Sequence, residues 1–163
     1  MKNPYRKLML LGAAASLAIV GGCGGGGGGA DDDTPEAAAF RYRQAVMRLL
    51  AAKMGPIGAM SRGEVPTDEE VFAKNVNDLL TIAGMIPEGF GADVSNVPAA
   101  SAALPEVWTS MDDFSQRAAD LQMAVEGLAA AVASGGFASG QGLVQSTAGN
   151  CGACHRNYRQ RDE

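Results

Sequence analysis

The chain has 163 residues, 47% of them hydrophobic, and carries a formal net charge of −5 at pH 7. That length and apolar share suit one packed domain, and the low aromatic content of 6% beside abundant Ala, Leu and Met leans towards helix. The negative charge argues against nucleic acid as a partner and against a polybasic grip on anionic lipid.

At the N-terminus, Lys2, Arg6 and Lys7 precede an apolar run from Leu8 to Val20 that is too short to span a bilayer, the pattern of an export signal. Val20-Gly21-Gly22-Cys23 is similar to the lipobox of bacterial lipoproteins. Cleavage before Cys23 makes a diacylated Cys23 the mature N-terminus, whereas ordinary cleavage near Ala30 discards it. Loss of residues 1–22 removes three positive charges and takes the formal charge from −5 to −8. Membrane association is therefore expected only through lipid on Cys23. The expected location is periplasmic and lipid-anchored, with the outer membrane preferred because Gly24, not an aspartate, follows the cysteine. Residues 23–33, six glycines from Gly24 to Gly29 and then Ala30 and Asp31 to Asp33, read as a flexible tether. Residues 34–163 form the predicted folded domain.

Thr34-Pro35-Glu36 is a helix start, with a capping hydroxyl, a proline at the first position and an acid in the first turn. The first predicted helix runs to about Ser61, and Gly55-Pro56 is expected to kink or tighten its end. Its inward stripe is Phe40, Arg43, Met47, Leu50, Met54 and Ile57. Arg43 is out of place there: a buried guanidinium needs an anion, unless the side chain snorkels to solvent. The second helix opens with a Thr67 to Glu70 capping box, carries Phe72, Val76, Leu79 and Ile86, and ends at Pro87 and Gly89. A long loop to Leu104 follows.

A third helix begins near Pro105-Glu106 and places Trp108, Met111, Phe114, Ala118, Leu121, Val125, Leu128 and Val132 at three- and four-residue steps. Trp108 reads as a packing anchor rather than a redox relay, and Asp112 and Asp113 as solvated charge. Gly135-Gly136 stops this helix. The fourth runs from about Phe137 to Gln160 with Val144, Thr147, Cys151, Cys154, His155 and Tyr158 on one side. The predicted fold is all-α, an antiparallel four-helix bundle.

Cys151-Gly152-Ala153-Cys154-His155 matches C-x-x-C-H, the attachment signature of c-type haem. On a helix, positions i, i+3 and i+4 share a face, so two thiols can reach the vinyl groups while the imidazole of His155 points at iron. The competing readings are a redox dithiol, which wants a βαβ context, and zinc, which wants further ligands that a chain with one histidine lacks. One covalent haem c near the C-terminal helix is thus expected, with His155 as an axial ligand. The single histidine leaves Met, Lys or nothing for the sixth position. If Arg43 faces a haem propionate, Met47 one turn on lies above the haem plane; the alternative for Met47 is plain core packing.

At this point the chain resembles the cytochrome c′ family, class II cytochromes c with a four-helix bundle, over roughly residues 35–161. Beyond the haem motif, the resemblance rests on Tyr42-Arg43-Gln44-Ala45-Val46-Met47, Gly63-Glu64-Val65-Pro66, Pro105-Glu106-Val107-Trp108 and Tyr158-Arg159. It implies that Arg43 and Gln44 contact haem propionates, that His155 is the proximal ligand, that Arg159 lies near it and that Met47 occupies the distal position. It also implies five-coordinate high-spin iron, NO and CO as ligands, electron exchange with redox partner proteins and a homodimer. The alternative is a low-spin class II electron carrier with Met47 as sixth ligand. Neither reading assigns a catalytic residue, and no distal histidine is available for peroxidase chemistry. The chain departs from the family in its acylation signal, its glycine tether and the lack of a tryptophan after Pro87.

Overall fold

Residues 34–93 and 101–161 are described by the structure, a computed structural model, and among them every regular element is a helix. The signal peptide 1–22, Cys23, the tether 23–33 and part of the long loop, residues 94–100, lie outside the described residues.

Helix α1, Pro35–Ser61, starts where the sequence puts it, with the Thr34 hydroxyl accepting from the Ala37 N–H at 3.2 Å. It runs on past Pro56 to Ser61. Gly55 and Pro56 lie on the exposed side, where water can serve the carbonyl that the proline ring leaves unbonded. Helix α2, Glu69–Ala83, is capped one residue later than expected: the Asp68 carboxylate accepts from the Val71 N–H at 3.0 Å, replacing the Thr67 to Glu70 box. Aspartate caps at least as well as threonine, and this start turns Phe72, Val76 and Leu79 into the core.

Two boundaries differ from the sequence reading. Helix α2 stops at Gly84, and Pro87 with Gly89 does not end it but falls within a separate short helix α3, Ile86–Phe90. Proline suits the first turn of a helix, where its missing N–H has no partner to lose. Trp108 lies on a one-turn helix α4, Glu106–Thr109, set off by Ser110 from the long helix α5, Met111–Tyr158.

Helix α5 is two limbs, 111–134 and 137–158, divided at Gly135 and Gly136, whose backbones are non-helical. Gly136 has φ +63° and ψ −152°, and a Cβ there would stand 2.9 Å from the Glu69 carboxylate oxygen. Gly136→Ala is therefore expected to destabilise the fold by about 1–3 kcal/mol, the usual cost of a non-glycine residue in such a conformation; thermal or urea melting measures it.

The four long rods, α1, α2 and the two limbs, make a four-helix bundle in which α2 packs on both α1 and α5. Ile57, Phe72, Val76, Val125 and Leu128 are fully buried at its centre. At one end the segment before α4 pairs with the end of α5: Leu104 N donates to the Tyr158 carbonyl at 3.0 Å and Gln160 N to the Ala102 carbonyl at 2.7 Å. That pairing holds residues 102–104 against the end of the limb bearing the two cysteines and the histidine.

Candidate functional site

The second limb of α5 presents Thr147, Cys151, Cys154 and Tyr158 along one stripe, as the four- and three-residue steps between them dictate. Thr147 is almost wholly buried, and its hydroxyl donates to the Leu143 carbonyl at 2.9 Å and reaches the Ala124 carbonyl on the other limb at 3.5 Å. Tyr158 is buried at the far end, its hydroxyl donating to Asp113 and its ring edge-on to Phe114 with centroids 5.3 Å apart. The two cysteines between these anchors are held to a fixed place on a fixed helix face.

Facing them is α1. Arg43, Gln44, Met47, Leu50 and Met54 line the other side of one cavity of about 550 Å³, whose wall also includes Cys151, Cys154, His155 and Arg159. The volume is in the range of roughly 300–1,000 Å³ usual for cofactor and ligand sites. All six site residues singled out in the folded domain thus line a single cavity, although Arg43 and Cys154 are 111 positions apart in sequence. Cys23 lies outside the described residues.

Arg43 does not snorkel: it is only 4% exposed. Its Nη2 donates to Ser101 Oγ at 3.3 Å, and its Nη1 is buried with no hydrogen-bond partner among the described residues. Burial lowers its pKa, and the negative charge of Asp93 partly restores it. A guanidinium in that position leaves a donor unserved, which is a standing demand for an acceptor.

Both thiols are free, and burial pushes their pKa values up. That is opposite to the activated, low-pKa dithiol of a redox motif. His155 lies at the exposed edge of the cavity rather than on the buried face with Tyr158; partial desolvation and then the positive charge of Arg159 lower its pKa, which favours the neutral imidazole whose lone pair can bind a metal. Among the described residues, no group of three or more His, Cys, Asp and Glu gathers to hold a metal ion by itself. The wall fits a large, mainly apolar group bearing an acidic edge and an open metal position: two thiols, one neutral imidazole and one under-bonded guanidinium border the same space.

Several participants were not singled out from the sequence. Asp113, read as solvated charge, accepts from both Tyr158 and Arg117, the latter at 2.8 Å, and these bonds hold its carboxyl below the usual range. The Asp113 and Arg117 spacing of four is visible in sequence, but the link to Tyr158, 45 positions away, is not. Ser101 carries no sequence signal. Trp108 is an anchor, as read: its indole N–H reaches the carbonyls of Phe90 and Ala92, each at 3.2 Å.

A family model described as Cytochrome C' matches residues 38–159. Cytochrome c-554 of Cereibacter sphaeroides is 37% identical over 123 residues, covering 74% of this chain and 91% of that protein. The crystal structure of cytochrome c′ from Rubrivivax gelatinosus superposes with a TM-score of 0.71 at 30% identity, over 77% of this chain and 97% of the other. A nitric oxide complex of a cytochrome c prime variant from Alcaligenes xylosoxidans gives a TM-score of 0.69 at 26% identity, over 78% and 97%.

Proposed function

The chain belongs to the cytochrome c′ family and carries one covalently bound haem c, and from that premise we propose that it is an exported haem protein that binds NO and CO at an open iron position and exchanges electrons with redox partner proteins. The observation that carries this reading is the Cys151, Cys154 and His155 triad on one wall of an apolar cavity with Arg43 and Met47 on the other. Haem iron supplies a redox change and a coordination position for diatomic ligands. Cys151 and Cys154 hold the group by thioether bonds, and His155 is the proximal ligand. Arg43 and Gln44 serve the propionates, which meets the demand of the unpartnered Arg43 donor. Met47, Leu50 and Met54 crowd the remaining space with apolar atoms, which favours small uncharged ligands over anions. A solved relative is a nitric oxide complex, which supports NO as the ligand class here. The protein is read as a binder and carrier with no catalytic residue.

A second reading rests on Met47 itself. Its thioether is on the cavity wall one turn beyond Arg43, so it can be a sixth ligand, and the chain is then a low-spin electron carrier. Optical and EPR spectra separate the two: the first requires high-spin ferric iron at neutral pH and a ferrous form that takes up CO and NO.

The protein is held in the periplasm by lipid on Cys23, with residues 23–33 as tether; intact mass of the mature chain should exceed that of the polypeptide with haem by the acyl groups, and a mass without them refutes the anchor. Two copies pair through the outer faces of α1 and α2, where Leu49 and Val71 are each 44% exposed.

A further inference from the structure

Arg43 is enclosed by aromatic faces. Its guanidinium carbon is 5.0 Å from the Phe90 ring centroid, 5.4 Å from that of Trp108 and 5.7 Å from that of Phe40. Phe40 is on α1 with the arginine, but the other two rings are brought in by α3 and α4, and those elements are fastened to each other. The Trp108 indole N–H bonds to the carbonyls of Phe90 and Ala92, tying α4 to the end of α3. On the other side, α3 lies directly on α1: a Cβ at Gly89 would be 3.3 Å from the Arg43 Cα and 3.4 Å from its Cβ. A side chain at position 89 would press on the α1 backbone, so glycine eases this close approach of α3, which sets Phe90 beside the guanidinium. Glu88, next to Gly89, accepts from the Tyr42 hydroxyl and ties the two helices at the surface.

We propose that Phe90 and Trp108 are positioning residues, an aromatic cage that fixes the Arg43 guanidinium dry and in place so that its charge acts on the carboxylate edge of the bound haem. A cation over ring faces is attracted by their quadrupoles, most strongly where water is excluded. Without water around it the charge is poorly screened, so its effect on a neighbouring redox centre is larger than that of a solvated arginine. The cage also accounts for the burial of Arg43 with one N–H unserved: three ring faces, Ser101 and the Asp93 charge offset part of its desolvation. The inference rests on the pairing of Arg43 with a haem propionate.

A double-mutant cycle on the haem-loaded protein tests it, read as reduction potential by redox titration. Arg43→Leu removes a cation that favours the electron-rich ferrous form, so the potential should fall. Trp108→Leu and Phe90→Leu should each lower it by a smaller shift, because the guanidinium is then free to swing towards water. Trp108→Phe, which keeps a ring, should stay nearer the parent value than Trp108→Leu. Neither cage substitution should move the potential further on the Arg43→Leu background. A fall that is the same with and without Arg43, or no fall in either cage variant, overturns the cage while leaving the propionate pairing intact. No change in Arg43→Leu overturns the pairing and the cage with it. The two cage variants are independent, so a Trp108→Leu protein that does not fold leaves Phe90→Leu to decide.

Discussion

Cys151→Ala/Cys154→Ala protein is expected to give up all of its haem to acid–acetone, whereas the unaltered chain should keep all of it. The contrast is all-or-none because the attachment is covalent: either sulfur alone still holds the group, and only loss of both leaves it held by coordination and packing. Single variants should therefore retain haem and show one unsaturated vinyl group in the pyridine haemochrome spectrum, while the parent shows none. The geometry makes each cysteine competent. Both line the cavity from one helix face, and that face is pinned at its ends by the Thr147 hydroxyl and by the Tyr158 to Asp113 bond. Release of haem from the unaltered protein would refute thioether attachment at these residues. Folding should suffer as well, since an empty cavity of about 550 Å³ forfeits the packing contacts of its lining.

Met47→Ala should leave the ferric spectrum high spin and speed the entry of CO and NO by about tenfold, equivalent to about 1.4 kcal/mol of barrier. Met47 is half-buried on the cavity wall, flanked along α1 by Arg43 and Gln44 before it and Leu50 and Met54 after it. A methionine in that place acts in one of two ways. With sulfur at bonding distance it completes the coordination of iron; slightly farther off it is a flexible plug in the path of an incoming ligand. The gas-binding proposal requires the plug, so truncation changes rates and leaves spin state alone. Stopped-flow mixing and EPR read the two quantities separately. A low-spin parent with a long-wavelength sulfur-to-iron band that vanishes in Met47→Ala would establish the electron-carrier reading in its place.

These expectations were legible in the sequence to different depths. Cys151, Cys154 and His155 are close neighbours in one motif, and the helical repeat by itself sets them on one face, so the chemistry of attachment needs no tertiary information. The capping hydroxyl of Thr34, the glycine pair that divides α5 and the apolar periods of the four rods are likewise local, which is why the bundle could be read from spacing. Boundaries were less secure wherever two local signals competed. Thr67 and Asp68 are both good caps, and packing of Phe72 and Val76 chose the second. Pro87 can end one helix or begin another, and burial of Ile86 and Phe90 chose the beginning.

What only the tertiary structure decided are meetings between distant parts of the chain. An arginine in an apolar row states that something must compensate it, but sequence cannot say whether that is solvent or a partner. The answer came from α3 and α4, which close over Arg43 with Phe90 and Trp108, and from Ser101 on a loop with no periodic signal. The same holds for Asp113: its four-residue spacing to Arg117 is local, whereas its bond to Tyr158 exists because the two limbs of α5 fold back on each other at Gly135 and Gly136. Local patterns are written in backbone geometry, which repeats along the sequence; compensation of a buried charge depends on what the packed core leaves within reach, and that is set only when the helices meet.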